Sequence, residues 1–219
     1  SLLGHELGHA LVARRHGVDV AGITLWLLGG VAKLMRQAPT PRAEFQIAIA
    51  GPAMSLLIGV GLGGASVGLA RLSDFVLAPL VLAWLAAVNL LLAVSNLLPG
   101  APLDGGRVLT AILWKRLGDA ERARLLSARC GLILGALLML AGAVQALRFG
   151  QPSGWWTTIV GMFVVTAARS EVLGAALRRR FATTGIDALM RAHPPTIPDS
   201  FTFEQFRLAG GPDAAVVGY

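Results

Sequence analysis

The sequence predicts an all-α multi-pass membrane protein with a short membrane-associated β segment, followed by a short α/β tail. Three observations carry that prediction. Of 219 residues, 55% are hydrophobic and only 14% charged, whereas a soluble domain carries about 25% charged residues. Four stretches, residues 45–70, 75–103, 130–147 and 149–168, contain no Asp, Glu, Lys or Arg, and about 20 apolar residues suffice for a helix to cross the hydrocarbon core. The basic residues also alternate from one connection to the next. The alternative, a large soluble core of buried helices, fits poorly, because such helices are seldom this long and this uniformly apolar.

Each element has its own grounds. Residues 1–13 are apolar apart from His5, Glu6 and His9. The segment is too short to span and reads as the end of a helix whose start lies before Ser1. No positive leader or small-residue cleavage site marks it as a signal peptide. "ITLWLLGGVAK", Ile23–Lys33, mixes β-branched and apolar residues with two glycines. It reads either as an edge strand able to pair with an extended peptide or as an ordinary loop. The glycine-rich run Gly59–Gly68 falls inside a predicted span, where small residues let helices approach closely. Cys130 is the only cysteine, so an internal disulfide and a cysteine metal site are both excluded.

Sidedness follows from the charges. Arg14, Arg15, Lys33, Arg36 and Arg42 separate the first two segments, and Arg107, Lys115, Arg116, Arg122, Arg124 and Arg129 follow the third. Arg71 and Arg148 stand alone in the other two connections, and Arg169 and Arg178 to Arg180 follow the last segment. Cytoplasmic loops are enriched in Lys and Arg, so the basic connections and the tail are expected in the cytoplasm of a cell-membrane protein. The net charge of +7 is then explained by topology and by attraction to anionic headgroups of the lipid bilayer. It calls for no nucleic acid.

The polar residues inside this apolar background carry the chemistry. His5-Glu6-Leu7-Gly8-His9 has the spacing His-Glu-x-x-His. Four residues advance a helix by about 400°, so the two histidines share a face and can bind one metal ion together. Glu6, about 100° round, could reach a water at that metal and act as its base. Two histidines with a carboxylate leave zinc an open position, and ionisable groups within a membrane helix are costly and usually functional. The third ligand is expected at Asp104, the only acid between Asp74 and Asp119, in "NLLPGAPLDGGR". Pro99, Gly100 and Pro102 break the helix there, and freed backbone must be buried in protein or line a cavity. Its plainer reading is a helix N-cap.

Together, His5-Glu6-x-x-His9 and Asn96-x-x-Pro99-x-x-x-x-Asp104-Gly105 resemble the site-2 proteases, intramembrane zinc metalloproteases. "LGGVAKL", Leu28–Leu34, resembles that family's extended segment, and "AGPAMS", Ala50–Ser55, its Gly-Pro motif opening the next helix. The resemblance covers residues 1 to about 177. It implies Zn2+ held by His5, His9 and Asp104, with Glu6 as base and Asn96 holding the substrate carbonyl or its oxyanion. The substrates it implies are transmembrane proteins, cut near the cytoplasmic face. The Gly-Pro motif often continues to Asn, where this chain has Ser55; that residue either donates a hydrogen bond or packs helices. Two other readings are a catalytically silent scaffold or receptor of the same fold and a metal-binding transporter. The intact polar quartet argues against the first, and the lack of a polar path along the spans against the second.

After a linker at residues 178–185, the polar segment 186–219 resembles the opening of a CBS domain, truncated here. A helix is expected around Asp187–Arg191, a strand near Thr196–Ile197, a helix from Phe203 and a strand at Ala214–Tyr219. A complete pair of such modules would offer a nucleotide site. A simple cytoplasmic tail is the alternative. Of the other histidines, His16 is expected in solvent beside Arg14 and Arg15, and His193 in the tail.

Overall fold

A computed structural model describes residues 1–26, 29–34, 36–72, 76–182, Thr202 and Glu204. The chain divides into two compact units, Ser1–Ala175 and Ala176–Tyr219. Apart from Glu204, which is helical, the tail elements expected between Asp187 and Tyr219, and His193, lie outside the described residues.

The elements run α1 (Leu2–Arg15), β1 (Val20–Trp26), β2 (Gly29–Leu34), α2 (Pro41–Leu72), α3 (Leu77–Asn96), α4 (Asp104–Leu117), α5 (Ala120–Phe149) and α6 (Ser153–Ala182). Among the described residues, α2, α3, α5 and α6 are long and apolar enough to cross a membrane. Their outward faces agree: Leu57, Leu91 and Trp84 are 68%, 68% and 64% exposed. Water would not tolerate so large a contiguous apolar surface, and lipid requires it. The chain is a multi-pass membrane protein.

Local chemistry sets the boundaries. Thr40 accepts a hydrogen bond from Ala43 N–H through Oγ1, and Pro41 opens α2 at a position whose N–H would have had no helical partner. Asp119 caps α5 by accepting from the N–H groups of Glu121 and Arg122. Gly118 and Gly150 end α4 and α5 at positive φ of 71° and 63°, the left-handed conformation of a helix stop.

The β segment is an antiparallel hairpin whose register runs from Val20↔Leu34 to Trp26↔Gly29, with an irregularity between Val20 and Gly22. Both strands lie against α1. The edge-strand reading of this region is therefore the one adopted by the fold, although Leu28 lies outside the described residues.

Three expectations need correction. The Gly-Pro pair does not open a helix. Gly51 and Pro52 lie inside α2, which begins ten residues earlier at Pro41, because Thr40-Pro41 supplies a stronger start signal than a mid-sequence proline. The glycine-rich run is only partly a packing seam. Gly59 meets Leu90 and Ala86, and Gly63 meets Ala86, while Gly61, Gly64 and Gly68 face open space. His16 is not simply solvated; its Nε2 lies 2.7 Å from Gln46 Oε1, the ring donating, which ties the end of α1 to α2.

Candidate metal centre

Three helices bring the site together. His5 and His9 project from α1 toward α2, and Asp104 is the first residue of α4. His5 Nε2 lies 3.0 Å from Asp104 Oδ2, His9 Nε2 lies 3.2 Å from the same oxygen, and the two Nε2 atoms are 3.2 Å apart. Tetrahedral zinc with bonds of about 2.0–2.1 Å has ligand–ligand edges of about 3.3 Å. The triangle of two imidazole nitrogens and a carboxylate oxygen therefore fits a zinc ion with a fourth position open. Among the described residues, His5, His9 and Asp104 form the group of side chains able to hold a metal.

The outer partners favour the same arrangement. His9 Nδ1 is 2.6 Å from the carbonyl oxygen of Ile47. A carbonyl can only accept, so Nδ1 carries the hydrogen and Nε2 of the neutral ring keeps its lone pair for a metal. Pro52 lies one turn further along α2; it has no N–H to bond the carbonyl of Ala48 and so loosens this turn. His5 Nδ1 is 2.9 Å from Ser55 Oγ. Ser55 is fully buried, and this contact sets its hydroxyl against the ring of His5 as well as in a helix seam.

Gly51 was unassigned in the sequence, and it shapes the site. A Cβ there would overlap His9 Nε2 and lie 2.7 Å from His5 Nε2. Only a residue without a side chain lets the two rings lie against α2. The signal was present in the Gly-Pro pair, but sequence alone placed it at a helix start.

Asp104 is held from behind. Its N-cap neighbour Leu103 has an extended backbone, and Asp104 itself makes no cap, which rules out the N-cap reading. The carbonyl of Gly106 accepts from Ser127 Oγ at 2.6 Å, and Ala101 N–H donates to the carbonyl of Ser127 at 3.3 Å. Gly131 of α5 meets the Ala101 backbone so closely that any Cβ would collide with it. One turn after Asp104, Arg107 Nε donates to Glu44 Oε1 at 2.9 Å, and Glu44 is buried on α2. That pair joins the helix of Asp104 to the helix that packs the histidines.

Glu6 is buried on α1 beside His5. Asn96 ends α3, and its Nδ2 donates to its own helix at the carbonyl of Leu92, 3.0 Å away. It is not part of the three-residue cluster.

Comparison with known proteins decides the kinship. The model of peptidase family M50 matches residues 1–71 and 77–140. The chain belongs to peptidase family M50. Within it, "Putative zinc metalloprotease Rip3" of Mycobacterium tuberculosis is 44% identical over 94% of this chain and 52% of its own length. A Synechocystis protein named in the same way, sll0528, is 36% identical over 94% of this chain and 54% of its own length. This M50 chain thus spans about half the length of these curated relatives. The solved site-2 protease from Methanocaldococcus jannaschii superposes with a TM-score of 0.61 at 32% identity, covering 78% of this chain and 73% of that one.

Proposed function

We propose that this M50 chain is a zinc-dependent intramembrane endopeptidase acting on transmembrane protein substrates. The observation that carries the reading is the convergence of His5 Nε2, His9 Nε2 and Asp104 Oδ2 within 3.0–3.2 Å of one another. In this reading those three atoms hold Zn2+. Bound there, zinc would supply Lewis acidity toward a peptide carbonyl and toward water.

The other residues divide the remaining work. The carboxylate of Glu6 takes a proton from the attacking water as its oxygen bonds to the scissile carbonyl carbon. It then delivers that proton to the leaving amide nitrogen as the C–N bond breaks. Asn96, at the end of α3 where the chain turns toward Asp104, donates its amide to the carbonyl oxygen. A helix hides its carbonyls in hydrogen bonds, so the substrate must be extended before cleavage. An edge of the β1–β2 hairpin, beside the metal helix, offers backbone pairing for that purpose.

The substrates are cut near the cytoplasmic face, and the basic connections and the tail lie in the cytoplasm. Residues 186–219 open a CBS-like module, and a complete pair of such modules would offer a nucleotide site.

The direct test is metal removal. Stripping zinc from the purified protein with a chelator should abolish cleavage of a transmembrane peptide, and Zn2+ added back should restore it. Cleavage that persists in metal-free protein would exclude the mechanism.

Sidedness has its own test. In a Cys130→Ser background, a membrane-impermeant thiol reagent applied to intact cells should label a cysteine at Gly150 but not one at Arg180. The reverse pattern would invert the topology.

A further inference from the structure

A zinc-bound His5 raises a question of hydrogen bonding that the site described so far does not answer. With Nε2 given to the metal, the neutral imidazole carries its hydrogen on Nδ1. That hydrogen is donated to Ser55 Oγ, 2.9 Å away. The hydroxyl hydrogen of Ser55 then needs an acceptor of its own, and Ser55 is fully buried. A buried polar hydrogen without a partner is destabilising.

A matching deficit lies on the next helix. Asn89 of α3 is also fully buried. Its Nδ2 donates to the carbonyl of Leu85 at 2.7 Å. Its Oδ1 is, among the described residues, the buried side-chain polar atom with no protein partner. Asn89 lies in the buried stripe of α3, beside the residues that meet α2. Gly59 of α2 packs on Ala86 and Leu90 of α3, which sets Asn89 at the level of Gly59. Ser55 lies one helical turn from Gly59, toward the metal site. Ala86, Asn89 and Ala93 form the buried stripe of α3, and Asn89 belongs to it although an apolar residue would satisfy that face at no polar cost.

We infer that Asn89 is a positioning residue for the metal centre: one bridging water accepts the hydroxyl hydrogen of Ser55 and donates to Asn89 Oδ1, and so fixes Ser55 as the acceptor that orients His5. The water donates one hydrogen to Asn89 Oδ1 and accepts from Ser55 Oγ–H. It thereby joins two groups of opposite need that make no direct bond to one another. The relay spans three helices, α3 to α2 to α1. It holds the imidazole in the tautomer that leaves Nε2 free, the function outer partners serve in zinc sites. The rival arrangement has Ser55 turn its hydroxyl back to the carbonyl of Gly51 in its own helix, which would leave Asn89 without influence on the metal.

The inference rests on the zinc reading of the triad, and the test separates the two. Zinc affinity of the full chain in detergent is measured by competition with a chromogenic chelator for the wild type, His5→Ala, Asn89→Leu, Ser55→Ala and the double variant Asn89→Leu/Ser55→Ala. The visible spectrum of each Co2+-loaded protein is recorded alongside. Loss of an outer partner typically costs 10–100-fold in metal affinity. Asn89→Leu should lower zinc affinity by about 10-fold or more and change the Co2+ bands while thermal stability is kept, and the double variant should bind no more weakly than Ser55→Ala alone. Unchanged affinity in Asn89→Leu, or losses that multiply in the double variant, would overturn the relay. Unchanged affinity in His5→Ala would remove the metal site and the relay with it. Should Asn89→Leu fail to fold, Asn89→Ser and Asn89→Ala replace it. Serine retains an acceptor and should keep most of the affinity, alanine should lose it, and equal affinities would again overturn the relay.

Discussion

Glu6→Gln is expected to retain zinc and to cleave a transmembrane peptide about 10²–10⁴-fold more slowly than the wild type. The expectation follows from what the substitution leaves alone. Glutamine has the size of glutamate and keeps hydrogen-bonding capacity, and residue 6 is not one of the three converging ligands. It cannot take a proton. The barrier should rise by about 3–5 kcal/mol, while the zinc content of the purified protein stays at the wild-type level. The measurement pairs metal analysis with single-turnover cleavage. Near-normal cleavage by Glu6→Gln would remove Glu6 as the base. Loss of zinc would move it into the metal shell.

Gly51→Ala is expected to abolish tight zinc binding without unfolding the membrane domain. The added methyl would occupy space held by the imidazoles of His9 and His5. The obstructing atoms are the ring nitrogens themselves, so relief requires displacing the ligands or separating α1 from α2. Zinc affinity should fall by more than about 100-fold, beyond the range for loss of an outer partner alone. Gly61→Ala on the same helix is the matched control, since a Cβ there meets nothing within 4 Å. Equal zinc affinity in the two alanine variants would show that the rings do not need the space at Gly51.

Much of this was legible because membrane physics writes itself into sequence. Backbone groups in lipid must bond internally, so the charge-free runs could hardly be anything but helices. The quartet His5, Glu6, His9 and Asp104 stood out because each is an ionisable group in apolar surroundings. Boundaries were less legible. The exception is the end of α3: the charge-free run continues to Leu103, but Pro99, Gly100 and Pro102 mark a helix break, and α3 stops at Asn96. α5, by contrast, starts at Ala120, well before its charge-free run, because Asp119 supplies an N-cap that a charge-free window does not register.

The supporting residues were least legible, for a physical reason. Gly51, Ser55 and Gly131 carry no charge. Their importance lies in what they touch across helices, and no local pattern records such contacts. Ser55 stood in a motif, yet only its 2.9 Å approach to His5 distinguishes orienting from packing.

The ion pair between Arg107 and Glu44 bears on how the protein lives with its metal. The ligands are 95 and 99 residues apart in sequence, so an ion that closed this ring unaided would have to oppose the whole entropy of doing so. Arg107 sits one turn beyond Asp104 and grips α2 by contacts that involve no ion. The carboxylate is therefore brought to the histidines by the protein's own charges. Under the proposed zinc reading, metal-free protein would keep these three side chains together, and it would take up metal without refolding.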